Sequence, residues 1–134
     1  MNWKHFLAAI VVSGFVFSFT DWVFGGILFH DKYSAHPEVW RQGPGKSETP
    51  AVAWGVVLGF LTSAAFMSAC IVFAVHGYRP ALELAVLCWL MVPVPLLVTN
   101  ALFVKLHPLV VVSHSLGWIA KLGVAGVVAG FLLG

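Results

Sequence analysis

The sequence predicts an all-α membrane protein, a four-transmembrane-helix bundle made of two helical hairpins with both termini on the same side. Three observations predict it. Apolar stretches at approximately 6–29, 51–75, 81–104 and 109–133 occupy almost the whole chain, and each matches the ~20 residues a helix needs to cross a ~30 Å hydrocarbon core. The composition is 60% hydrophobic and only 9% charged, with a mean hydropathy of +0.97, whereas a soluble domain carries ~25% charged residues to solvate its surface. The longest hydrophilic piece, residues 30–50, is a loop between apolar stretches.

With 134 residues and these four stretches, too little chain remains for a soluble domain of even ~50 residues. Residues 1–134 are therefore expected to form a single integral membrane domain in contact with the lipid bilayer. The net charge of +2 is not gathered into a basic cluster or stripe, so no nucleic-acid partner is expected.

The opening Met1-Asn2-Trp3-Lys4-His5 and the apolar run behind it imitate a signal peptide. The run continues past Asp21 to Phe29, which exceeds the ~7–15 residues of a signal core. No small-x-small cleavage site precedes a polar region, so the segment is expected to be the first transmembrane helix. Gly14 and Ser18 place small residues four apart on it.

The loop at 30–50 mixes Lys32, Arg41 and Lys46 with Asp31, Glu38 and Glu48, a pattern that does not recruit anionic lipid. Trp40 suits a segment lying against the headgroups, and Gly43-Pro44-Gly45 breaks any helix there. With Lys105, this side carries more Lys and Arg than the side bearing Lys4 and Arg79, so the positive-inside rule places the 30–50 loop in the cytoplasm.

Lipid tails are as apolar as leucine, so helices in a bilayer associate by close packing and interhelical polar contacts. Small residues four apart mark where backbones approach. The second stretch offers Gly55-Val-Val-Leu-Gly59, with Ser63 on the same face; the fourth offers Gly126-Val-Val-Ala-Gly130, continuing to Gly134. Such faces serve packing within one bundle or between protomers. Cys70 and Cys88 fall inside the second and third stretches as small apolar fillers, and no disulfide is expected.

His76–Pro80 reads as a tight turn, with Gly77 as the helix stop and Pro80 in the first turn of the next helix. Pro93 and Pro95 remove backbone donors within the third stretch, so this helix should bend or open near the bilayer centre. The outcome is either a packing kink or a broken helix lining a cavity. A short Lys105–Pro108 turn leads to the last stretch.

Three ionisable residues lie where lipid disfavours charge. The helical rise places Asp21 roughly 12 Å inside its end of the membrane, His114 roughly 8 Å and Lys121 roughly 18 Å, near the midplane. Lys121 follows His114 by two turns on the same face. Asp21 and Lys121 can meet if their helices are neighbours with those faces opposed, and Asn100 lies at a depth from which it can reach His114. An unpaired charge at the bilayer centre costs roughly 2.5–3.5 kcal/mol on the insertion scale, which pairing relieves. The cluster is then either structural, an ion pair with His114 and Asn100 as hydrogen-bonding glue, or a protonatable site.

Glu83 lies in the first turn of the third helix, where a carboxylate is favoured and Arg79, Lys4 or His5 can pair with it. His5, His30, His36, His76 and His107 all fall near interfaces. Only His114 is deep, which argues against a bis-histidine haem within one chain. His30, His107, His36 and Asp31 match no metal-ligand spacing. No cofactor and no metal are predicted, and without a nucleophile–base pair, a phosphate loop or paired carboxylates no enzymatic activity is predicted either.

A set of landmarks runs along the chain: Met1-Asn2-Trp3; Trp22-Val-Phe-Gly25-Gly26-Ile-Leu-Phe29 at the end of the first helix; Trp40 in the loop. Thr99-Asn100-Ala101-Leu102-Phe103 closes the third helix, Pro108 follows, and His114-Ser-Leu-Gly117-Trp118 stands in the last. In these the chain resembles, over nearly its whole length, the small bacterial four-helix membrane family catalogued as domain of unknown function 1761. Its turn after Phe103, Val-Lys-Leu-His, is less polar than that of the family. The resemblance implies the architecture and a bacterial inner (cytoplasmic) membrane, and no activity.

Of two functions compatible with these residues, the first is the expected one and the second its alternative. The first is an accessory or structural subunit of a membrane assembly, or a homo-oligomer, with protein partners or self-association. The second is a small proton- or ion-coupled transporter using Asp21, His114 and Lys121. A dry, packed core favours the first; a cavity among those residues, lined by the broken third helix, favours the second.

Overall fold

Asn2 starts the first helix, its side chain accepting a hydrogen bond from the Lys4 amide at 3.1 Å, one of the donors a helix N-terminus leaves unpaired. The computed structural model describes residues 2–35, 37–39 and 47–134. His36, Trp40, Arg41, Gly43-Pro44-Gly45 and Lys46 lie outside the described residues, and with them the expectations for Trp40 and for the Gly-Pro-Gly break.

Helix α1 spans Trp3–Asp21 and runs on as a π-helical segment over Trp22–Leu28. The short α2, His30–Ser34, and a 3₁₀ turn, Pro37–Val39, follow. The first part of the 30–50 connection is thus helical, where the sequence suggested only a loop. Helix α3 spans Thr49–Val72, α4 Tyr78–Met91, α5 Pro93–Phe103 and α6 Pro108–Leu132. Among the described residues, four spans are long and apolar enough to cross a membrane, with α4 and α5 together forming the third. The described residues contain no strand.

Helix α6 is central: it packs on α4, α1, α5 and, over a smaller area, α3. Helix α3 packs mainly on α1. The core joins Ala9 and Phe17 of α1, Phe66, Met67 and Cys70 of α3, Ala81 and Ala85 of α4, and Leu122, Ala125 and Ala129 of α6. Phe15, Phe19, Leu61, Leu102 and Phe131 point outward, onto the surface that lipid tails cover.

The small-residue faces are used inside the chain. A Cβ on Gly126 would sit 3.1 Å from the Ala81 carbonyl oxygen, and one on Gly130 2.8 Å from Tyr78 Cα, so α4 and α6 approach nearly backbone to backbone. Gly59 faces Phe17 of α1. Gly14 lies under the Phe60 ring. Gly55, in contrast to these, has open space in front of it.

The turn between α3 and α4 differs from expectation in its stop residue. Ala74, with φ +50°, ends α3 in the left-handed region. The Val75 amide reaches back to the Cys70 carbonyl at 2.8 Å and the Ala74 amide to that of Ile71 at 3.1 Å, the bonding pattern of a Schellman cap. Gly77, at φ +82°, instead precedes the first residue of α4, and Pro80 lies in that helix's first turn, as the spacing predicts.

The third span breaks between Met91 and Pro93, with Val92 at φ −121° and ψ −68°. Pro93 and Pro95 have no amide hydrogen to continue the ladder. Pro93 begins a new helix, and the Trp89 indole donates to the Ser115 carbonyl of α6 at 2.9 Å, pinning the end of α4. Cys70 and Cys88 are free thiols.

Candidate functional site

The site begins where α1 changes its winding. Gly25 and Gly26 weaken the helical preference of this stretch, and the backbone opens into a wider π turn directly after Asp21, with the Phe29 amide bonded to the Phe24 carbonyl at 3.1 Å. Such turns inside helices are frequent at functional sites. Gly117 of α6 lies opposite Phe24 and leaves room for its ring.

Lys121 is 7% exposed, and its Nζ forms an ion pair with Oδ1 of Asp21, whose side chain is 50% exposed. The same Nζ lies 4.9 Å from the ring centroid of Trp118 and 6.0 Å from that of Phe17. Pairing meets the cost of placing an ammonium at this depth, and the two aromatic rings add cation–π attraction.

A cavity of about 860 Å³ opens beside this pair. Ser18, Asp21, Trp22, Phe24 and the two glycines line it from α1 and the π turn; His30, Tyr33 and Ser34 from α2. Glu48, Val52 and Gly55 form the α3 wall, and Ser113, His114, Trp118 and Lys121 the α6 wall. Polar groups and aromatic rings therefore share one chamber.

Helix α2 is held across the cavity by the Tyr33 hydroxyl, which donates to Ser113 Oγ at 3.3 Å. Ser113, fully buried, in turn donates to the Phe24 carbonyl at 3.5 Å. The Tyr33 ring meets that of His114 edge-on, 5.3 Å between centroids. Burial pushes the Tyr33 phenol above its usual range, the Ser113 hydrogen bond opposes that, and the Asp21 charge adds to the rise.

The structure thus brings Asp21, Lys121 and His114 to one cavity. It does not bring Asn100 there: this side chain is exposed on α5 and does not line the cavity. The broken helix does not line it either, since no lining residue comes from α4 or α5. The break at Val92 instead rests on α6 through Trp89. Glu83 takes Arg79 as its partner, Nε to Oε1 at 2.8 Å on the exposed surface. Among the described residues, no three His, Cys, Asp or Glu side chains gather as a metal site.

Sequence reasoning missed Tyr33, Ser113 and Trp118. Ser113 stands next to His114 and Trp118 three residues before Lys121, a signal that a deep polar stripe on the last helix recruits its sequence neighbours. Tyr33 had no such signal, because its place depends on how the chain turns after the π segment. Comparison with family models, with curated proteins and with solved structures finds no match to this chain.

Proposed function

We propose that the protein is a small proton-coupled membrane transporter whose binding site is the cavity around Asp21 and Lys121. One observation carries this reading: a lysine buried within a membrane span is paired to a carboxylate that is itself half exposed and lines a cavity of about 860 Å³. An ion pair that serves packing alone is best sealed on both partners, because every open polar group at that depth needs a further partner. Here one partner is sealed and the other faces room for a solute.

An accessory subunit or homo-oligomer would use small-residue faces between protomers rather than within one bundle. Gly59, Gly126 and Gly130 meet α1 and α4 of the same chain instead. Membership of the domain of unknown function 1761 family and a bacterial inner membrane are proposed on the sequence landmarks alone. A cytoplasmic 30–50 loop is proposed on the distribution of Lys and Arg.

The test is proteoliposomes carrying an internal pH dye, challenged in turn with a quaternary ammonium ion, a zwitterion, a carboxylate and a sugar. At least one class is expected to drive proton movement that Asp21→Asn abolishes and Arg79→Gln, on the exposed surface, leaves intact. Responses equal to those of empty vesicles for all four classes overturn the reading.

A further inference from the structure

The cavity already holds an alkylammonium group of its own. Lys121 Nζ sits on the Asp21 carboxylate and against the face of Trp118, and a carboxylate with an aromatic face is the recognition set for an organic cation. The lining adds Trp22 and Phe24, and among the described residues its carboxylates, Asp21 and Glu48, outnumber its one lysine, Lys121. Asp21 is the accessible member of the pair and Lys121 the sealed one, so an incoming solute meets the carboxylate. A volume of about 860 Å³ far exceeds the need of a bare metal ion and suits a solute with an apolar body.

We propose that the cavity takes an organic monocation in exchange for one proton of Lys121. The proposal rests on the transporter reading and names its substrate class. The solute displaces Lys121 as the counter-ion of Asp21. One Nζ–H bond breaks, its electron pair stays on nitrogen as a lone pair, and the proton leaves to water in the cavity. The site is neutral before the exchange, as carboxylate and ammonium, and neutral after it, as carboxylate and bound cation beside an uncharged amine. Low dielectric favours that conservation of charge, since an extra uncompensated charge at this depth is costly.

Each titratable group facing the pair bears on the pH dependence. Among the described residues, Asp21 comes from α1, His30 and Tyr33 from α2, Glu48 from the entry to α3, and His114 from α6 itself; α4 and α5 place none on the cavity. The window between about pH 7.5 and 9.5 lies above the reference value of a free imidazole and below that of a free phenol. The raised phenol of Tyr33 stays protonated there. Release of one proton per cation bound then makes binding about tenfold tighter per pH unit.

The test is equilibrium binding of tetraphenylphosphonium to the full-length protein in detergent, with released protons read by a pH dye. Wild type is expected to release one proton per cation, with the dissociation constant falling about tenfold per unit across this window. Asp21→Asn removes the binding. Lys121→Arg is the sharper variant, because a guanidinium keeps the pair but cannot shed its proton; binding weakens by about 100-fold or more while thermal stability is retained. PH-independent wild-type binding, or Lys121→Arg binding as tight as wild type, overturns the exchange. Absence of tetraphenylphosphonium binding, in a protein whose proton movement answers a zwitterion, carboxylate or sugar, overturns the substrate class and leaves the transporter reading standing.

Discussion

Ser13 of α1 and Ser63 of α3 hydrogen-bond to each other with both side chains fully buried. Ser13 Oγ also donates to the Ala9 carbonyl of its own helix at 2.6 Å, and Ser63 Oγ lies 3.1 Å from the Ile10 carbonyl across the interface. The two hydroxyls form one small polar patch in the α1–α3 contact, where neither water nor lipid offers an alternative partner.

Ser63→Ala should therefore destabilise the α1–α3 pair by about 0.6–1.7 kcal/mol, the range of interhelical hydrogen bonds in membranes. Reversible unfolding in mixed micelles measures this. An unchanged unfolding midpoint would mean that the patch contributes no stability.

Ala74 adopts φ +50° at the end of α3, where a side chain crowds its own carbonyl at a cost of roughly 1–2 kcal/mol. Ala74→Gly removes the clash and adds backbone entropy to the unfolded chain, leaving a net gain of about 0.5–1 kcal/mol. A rise in thermal midpoint is the expected reading; a fall would show that the methyl group packs more than it strains.

Gly130 and Gly55 predict opposite outcomes for the same substitution. A Cβ on Gly130 meets Tyr78 Cα at 2.8 Å and its backbone nitrogen at 2.9 Å, so Gly130→Ala pushes α4 and α6 apart and costs roughly 1–3 kcal/mol. Gly55 has nothing within 4 Å, and Gly55→Ala stabilises its helix by up to about 1 kcal/mol. Paired unfolding curves of the two variants check the contrast.

The pH behaviour of α2 follows from Tyr33. Its phenol is raised above the ordinary 10.0, chiefly by burial, so the folded state holds this proton more tightly than the unfolded chain does. The contribution of Tyr33 is fully present below the unfolded value of about 10 and is lost as pH rises through the folded value. Stability should hold up to about pH 10 and then fall, with phenolate absorbance rising in step. Tyr33→Phe should remove that alkaline step, and a step that persists in this variant assigns it elsewhere.

Much of the membrane architecture is legible in the sequence. The apolar stretches announce four spans because hydropathy adds up over a local window, whatever the neighbours are. Pro93 and Pro95 announce a break because a missing amide hydrogen is a covalent fact. The same reasoning failed at Gly77, since turn chemistry names residues able to take a positive φ, and the chain used Ala74 as well. It failed at Asn100 because depth along an axis says nothing about rotation around it.

The chain by itself determined how many stretches are long and apolar enough to cross, and that Asp21 and Lys121 lie at depths from which they can meet. Tertiary structure decided that α1 and α6 are neighbours with those faces opposed, that the cavity lies away from the broken helix, and that Tyr33 and Ser113 border it. The physical reason is a difference in range. Spanning a membrane is set residue by residue along one helix, whereas which side chains meet depends on the axial rotation of every helix, which the whole set of packing contacts settles together.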